Sequence, residues 1–224
     1  MPTRFPSPYD AIFFDFDGVI ADSVDAKIMA FGELYRDFGP EVRSAVMAYQ
    51  RAVPGETRFD KIPKFHRELL GIELTQAEII SWCDRLSDIV LDAVVASPLL
   101  PDVPEVLALL QAQGVPAHIV SGTPHDELQI IVERKGLRRF FASARGAPQK
   151  KHVIVEEILA AQSLVRERCL FVGDAMTDHD CARVCAMDFL GRAPAGQSPF
   201  PPGTRVVERL GEAFLTTTGL RRAA

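Results

Sequence analysis

Residues 11–23 read AIFFDFDGVIADS, and this stretch restricts the fold more than any other. Four apolar residues, Ala11 to Phe14, run directly into Asp15, Phe16, Asp17 and Gly18. An unbroken apolar run of this length is the pattern of a strand buried on both faces. Two carboxylates at the end of such a strand repel each other and resist leaving water, so a cation or a phosphate site must compensate them. Gly18 then allows a sharp turn and a close approach of backbone to a ligand.

Composition narrows the classes. With 224 residues and 47% apolar content, the chain can bury a good core and a smaller second one. A net charge of -5 argues against nucleic acid as a partner, because phosphate-backbone binding needs a concentrated basic surface. The opening MPTRFPSPYD reads as a loose lead-in, neither signal peptide nor anchor, and no apolar run is long enough to span a bilayer. A cytoplasmic protein without membrane contact is the expectation. Cys83, Cys169, Cys181 and Cys185 form no CxxC pair, so reduced, inert, buried thiols are expected.

From Val24 to Ala96 helical periodicity dominates. Ile28, Phe31, Leu34 and Tyr35 recur on one face, as do Val42, Ala45, Val46 and Tyr49, then Phe65 and Leu69, then Ile79, Ile80, Cys83, Leu86, Ile89 and Val90. From Pro98 onward helix alternates with short apolar strand. Pro104 opens a helix that Gly114 closes, and Pro116–Val120 is a strand. Helices over His125–Lys135 and Lys151–Ala161, a strand at Cys169–Val172, a helix near Asp178–Ala186 and a strand at Asp188–Gly191 follow. Such alternation predicts an α/β fold, a doubly wound parallel sheet with helices on both faces, whose ligands bind at the carboxyl ends of the strands. Residues 1–23 and 97–224 are assigned to this core and 24–96 to a small all-helical domain.

Three strand ends carry polar groups. The first ends in Asp15 and Asp17, the PAHIV strand in Ser121-Gly122-Thr123, and the CLFV strand in Gly173-Asp174. Thr123 suits a helix N-cap, with Pro124 at the first helical position, and the free N–H groups there with the Ser121 hydroxyl suit an anion. Lys150 or Lys151 opens the next helix, where its charge opposes the helix dipole. Lys151 fits better, because Ile154, Val155, Ile158 and Leu159 follow it at burying spacing, and Lys150 is held in reserve. His179 and Asp180 read as ordinary helix residues.

These four elements, DFDG, SGT, KK and GDAMTD, resemble in order the four motifs of the haloacid dehalogenase (HAD) superfamily. The helical insertion is similar to that family's C1-type cap, in the branch of phosphoglycolate phosphatase and β-phosphoglucomutase. The resemblance implies a HAD-like Rossmannoid core and a Mg²⁺-dependent phosphatase acting on small phosphorylated metabolites. By it, Asp15 is the nucleophile that forms an aspartyl-phosphate, and Asp17 the general acid and base, with its main-chain carbonyl in the Mg²⁺ shell. Ser121 and Lys151 hold the phosphoryl group, with Gly18, Gly122 and Thr123 lining its site. Asp15, Asp17 and Asp174 serve the metal directly and Asp178 through a water. The segment Pro54–Lys61 resembles the cap loop that drops over the site, with Arg58 for substrate; Lys61, Lys64, His66 and Arg67 either extend that basic patch or, as the preferred reading, form a solvated helix face. Asp17 and Asp174 together favour phosphoester transfer over dehalogenation. A sugar phosphomutase and a phospho-accepting signalling domain are the alternatives, and the oligomeric state is not legible.

Overall fold

The computed structural model describes residues 9–219, so most of the N-terminal lead-in lies outside the described residues. Strand β1 (Ala11–Phe14) is one of the two central members of a six-stranded sheet of order β3-β2-β1-β4-β5-β6, in which all neighbours are parallel. The others are β2 (Ala117–Pro124), β3 (Ser143–Ala147), β4 (Cys169–Gly173), β5 (Asp188–Arg192) and β6 (Val206–Val207). All four residues of β1 are buried, as its uniform apolarity requires.

Alternation along β1 sorts its side chains between two layers. Ala11 and Phe13 pack with Ile154, Val155, Ile158 and Leu159 of α7 (Lys151–Gln162) and with Cys181 and Ala182 of α8 (Met176–Val184). Ile12 and Phe14 face the other layer, with Val106, Leu107 and Leu110 of α5 (Val103–Gln113), Leu128, Ile131 and Val132 of α6 (His125–Arg134), and Phe214 of α9 (Gly211–Thr218). Burying each such phenylalanine stabilises the fold by about 1.5–3 kcal/mol. The four cysteines are all free and buried.

Between β1 and β2, ahead of α5, the chain builds α1 (Val24–Leu34), α2 (Pro40–Ala52), α3 (Arg58–Phe65) and α4 (Gln76–Ala96). A capping box holds the start of α4, where Thr75 accepts from the Glu78 N–H and the Glu78 side chain accepts from the Thr75 N–H. The predicted apolar face is largely buried, Ile28, Phe31, Leu34, Tyr35, Val46, Phe65, Cys83, Leu86 and Val90 among it, but Leu69 and Ile80 are exposed. The insertion leaves and rejoins the core at one place. The Leu100 N–H donates to the Ile20 carbonyl at 3.0 Å and the Asp22 N–H to the Pro98 carbonyl at 2.9 Å.

Two boundaries differ from the sequence reading. β2 continues through Ser121, Gly122 and Thr123 to Pro124, and α6 starts at His125, so Thr123 caps no helix. Its hydroxyl is drawn elsewhere, toward Asp17 and Lys27, while its N–H donates to Ser121 Oγ at 3.1 Å. The edge strands β3 and β6 were not anticipated; SARGA has no apolar run and Val206–Val207 is too short to read.

Candidate active site

The carboxyl ends of β1, β2 and β4 meet at one rim of the sheet. There Asp15, from the end of β1, is 5% exposed, and carboxylate oxygens of Asp15, Asp174 and Asp178 lie within 4.8 Å of one another. Lys151, the first residue of α7, reaches across them, with Nζ 2.9 Å from Asp15 Oδ2 and 2.6 Å from Asp178 Oδ1. Lys150 precedes the helix and is exposed, so Lys151 is the lysine that enters the site. Asp178 also accepts from the Ala175 N–H at 3.1 Å, which ties the start of α8 to the rim.

Crowding sets the electrostatics. Burial pushes the Asp15 carboxyl up to about 7, and the neighbouring Asp178 and Asp17 add to that rise against the opposing pull of Lys151. Burial, with Asp15 and Asp178 beside it, holds the Asp174 carboxyl well above the ordinary range. For Lys151, burial alone would lower the ammonium, but Asp15 and Asp178 override it and keep the group protonated above its usual value. An all-oxygen donor set, crowded and short of positive charge, fits a hard divalent cation. Asp15, Asp174 and Asp178 are the side chains that would hold it.

Asp17 faces elsewhere. Its carboxylate accepts from Ser23 Oγ at 2.6 Å, from Thr123 Oγ1 at 3.1 Å and from the Lys27 ammonium, which also donates to Thr123 Oγ1 at 2.7 Å. Burial would raise this carboxyl, but Lys27, Ser23 and Thr123 outweigh it and hold Asp17 below its ordinary value. Its side chain is therefore outside the carboxylate cluster, and the resemblance gave only its main-chain carbonyl to the metal.

Gly18 is needed for space. Its φ is +75°, and a Cβ there would sit 2.1 Å from Asp174 Oδ2. Its N–H donates to the Ala21 carbonyl at 2.8 Å, so it shapes the turn and has no N–H left to offer an anion. Gly122 and Thr123 line the cavity above the rim. Ser121 is buried, with its hydroxyl on Thr123 Oγ1 at 3.2 Å.

The helical insertion roofs this rim. Val24, Lys27, Phe31, Gln50, Pro54, Gly55, Glu56, Arg58, Leu86 and Val90 face Asp15, Asp17, Lys151 and Asp174 across a cavity of about 50 Å³, room for a few waters. Arg58 does not stand free in it. Its guanidinium grips Glu127 of α6 through two bonds, 2.8 and 3.0 Å, and donates to Ser87 Oγ at 2.7 Å. This buried pair joins the insertion to the core, where the sequence reading expected an unpaired substrate-binding cation. Lys61 and His66, read from sequence as solvated, are both buried. Sequence reasoning missed Lys27, Gln50 and Glu127. The one local hint was that Lys27 lies a helical turn past Ser23.

Comparison with known proteins agrees with this geometry. The family model for haloacid dehalogenase-like hydrolases matches residues 9–184. A 2-hydroxy-3-keto-5-methylthiopentenyl-1-phosphate phosphatase of Microcystis aeruginosa is 25% identical over 194 residues, 80% of this chain and 82% of its own. A phosphoglycolate phosphatase of Synechococcus elongatus is 25% identical over 177 residues, 77% of this chain and 78% of its own. Among solved structures, CbbY from Rhodobacter sphaeroides in complex with phosphate superposes with a TM-score of 0.75 at 16% identity, covering 95% of this chain and 100% of that one. With its family model spanning β1 to β4, the rim and the helical insertion, this chain belongs to the haloacid dehalogenase-like hydrolases.

Proposed function

We propose that the protein is a Mg²⁺-dependent phosphoric monoester hydrolase for small phosphorylated metabolites, with Asp15 as nucleophile and residues 24–96 as its cap. The observation that carries this reading is the convergence of Asp15, Asp174, Asp178 and Lys151 at one strand rim beneath a nearly closed roof. The two curated relatives, both phosphatases, support it.

A phosphate monoester is a dianion and repels a carboxylate. Asp15, Asp174 and Asp178, with the Asp17 main-chain carbonyl, would hold Mg²⁺, which would supply the positive charge that makes the approach tolerable. Lys151 adds a fixed ammonium beside the attacking oxygen and keeps Asp15 oriented. Asp15 Oδ forms a bond to phosphorus as the ester P–O bond breaks, and the departing alkoxide takes a proton from Asp17. Asp17 then takes a proton from water, whose oxygen attacks the aspartyl-phosphate; phosphate leaves and the Asp15 carboxylate is restored. Ser23, Thr123 and Lys27 favour the ionised Asp17 that this second half requires. Ser121, Gly122 and Thr123 border the phosphoryl group from β2, and Gly18 gives Asp174 room.

The test is a panel of phosphorylated metabolites with Mg²⁺, read as phosphate release and as isomer formation. Release without isomers is expected, with at least about a thousandfold loss in Asp15→Asn. Isomer formation that depends on a bisphosphate would make the protein a mutase. Undiminished turnover in Asp15→Asn would end the reading.

A further inference from the structure

The cap wall of the cavity carries an arrangement the hydrolytic steps do not use. Lys61 of α3 is fully buried, and among the described residues no carboxylate lies within ion-pair distance of it. Its Nζ donates to Gln50 Oε1 at 2.5 Å and to the Pro54 carbonyl at 3.4 Å, and it sits 5.8 Å above the Phe31 ring. The nearby acid Glu56 has its Oε2 engaged by the Tyr49 hydroxyl at 2.8 Å. An unpaired buried ammonium costs stability, so a fold that keeps one gains something else from it.

Gln50, on α2, is 4% exposed and lines the cavity. An ammonium can only donate, so Lys61 fixes which way the Gln50 amide faces: the oxygen toward Lys61, the NH₂ toward the cavity. The cavity's other strong donors are engaged. Lys27 is on Asp17 and Thr123, Arg58 on Glu127 and Ser87, and Lys151 on Asp15 and Asp178. The Gln50 amide N–H groups, by contrast, have no protein acceptor among the described residues.

We propose that Gln50, oriented by Lys61, determines specificity: it donates to an acceptor oxygen on the leaving-group half of the substrate. Because this rests on the phosphatase reading, the substrate is a small phosphomonoester whose alcohol carries a carboxylate, carbonyl or hydroxyl oxygen near the ester linkage. An alkyl group there leaves the Gln50 donors and the charge behind them without a partner, and a site built to hydrogen-bond discriminates strongly against the analogue that lacks the partner. Gln50 touches the substrate; Lys61 is a positioning residue. Burial, with Lys27 nearby, draws the Lys61 ammonium down to about 7 against the pull of Glu56, as its lack of a counter-charge requires.

The test compares kcat/KM, with Mg²⁺, for two matched pairs: 2-phosphoglycolate against ethyl phosphate, and glycerol 1-phosphate against n-propyl phosphate. The native enzyme should favour the oxygen-bearing member of at least one pair by about tenfold or more, and Gln50→Leu should cut that ratio by about tenfold. Lys61→Met should cut the ratio in the same direction while its Tm stays level or rises, whereas a merely structural lysine would lower Tm and leave the ratio alone. A native ratio near one, or a ratio unmoved in both variants, overturns the inference. Absence of phosphate release from every ester would overturn the phosphatase reading as well, while release with unmoved ratios would sink this inference alone.

Discussion

The two walls of the cavity have opposite electrostatic faults. At the sheet rim, Asp15, Asp17, Asp174 and Asp178 share the ammonium groups of Lys151 and Lys27 and remain short of positive charge. In the helical roof, Lys61 is buried with an amide and a carbonyl where a carboxylate would be expected. One wall lacks a cation and the other lacks an anion or acceptor. Each imbalance would be relieved by loading the site, the lower by a divalent metal and the upper by an oxygen of the substrate. Neither wall is arranged for the stability of the empty protein.

If that contrast is right, removing charge acts in opposite directions on the two sides. The largest effect is expected from Lys151→Met, which strips the rim carboxylates of their ammonium and should cost about 3–5 kcal/mol of unfolding free energy in chelator. Mg²⁺ should recover more stability in this variant than in the native protein, as read by urea denaturation. Equal stability of the two proteins in chelator would mean that the rim is not under charge stress.

A smaller effect should appear in the pH dependence. The folded Asp15 carboxyl titrates near 7 against an ordinary 3.8, so between those values the folded state keeps a proton that the unfolded chain has lost. Its contribution is fully present below about pH 4 and is lost as pH rises through about 7. Metal-free native protein should therefore lose Tm relative to Asp15→Asn across that window.

A comparable effect, of opposite slope, belongs to the roof. Lys61 titrates near 7 when folded and 10.5 when free, so from about pH 7 to 10.5 the unfolded chain binds the extra proton and native stability rises. Lys61→Met should be the more stable protein at pH 7 and lose that lead as pH approaches 10. Parallel Tm curves for native protein and Lys61→Met would remove the contrast between the walls.

The rim was legible in the sequence because its signals are local. Asp15 and Asp174 stand where an apolar run stops, and Lys151 stands where a helical apolar face begins. The roof was not legible, because its chemistry depends on pairings the sequence does not mark. Arg58 meets Glu127 across 69 residues and Lys27 meets Thr123 across 96. On a helical repeat, Gln50, Lys61 and Glu127 look like any solvent-facing polar residue. Thr123 was misread for a related reason: Thr-Pro before a helical stretch suits a cap, yet the strand runs on to Pro124 because Asp17 and Lys27 hold the threonine hydroxyl. β3 escaped notice because Arg145 and Gly146 interrupt any apolar pattern.

The two backbone bonds that join Ile20 to Leu100 and Asp22 to Pro98 place both legs of the insertion beside Asp17. Any swing of the four helices would pivot there and carry Lys27, one turn up the first of them, away from Asp17 and Thr123, to which it donates. Under the proposed mechanism, raising the insertion would part Asp17 from the Lys27 ammonium and lowering it would restore the pair. The timing of proton transfer would in this way be geared to the seating of the alcohol.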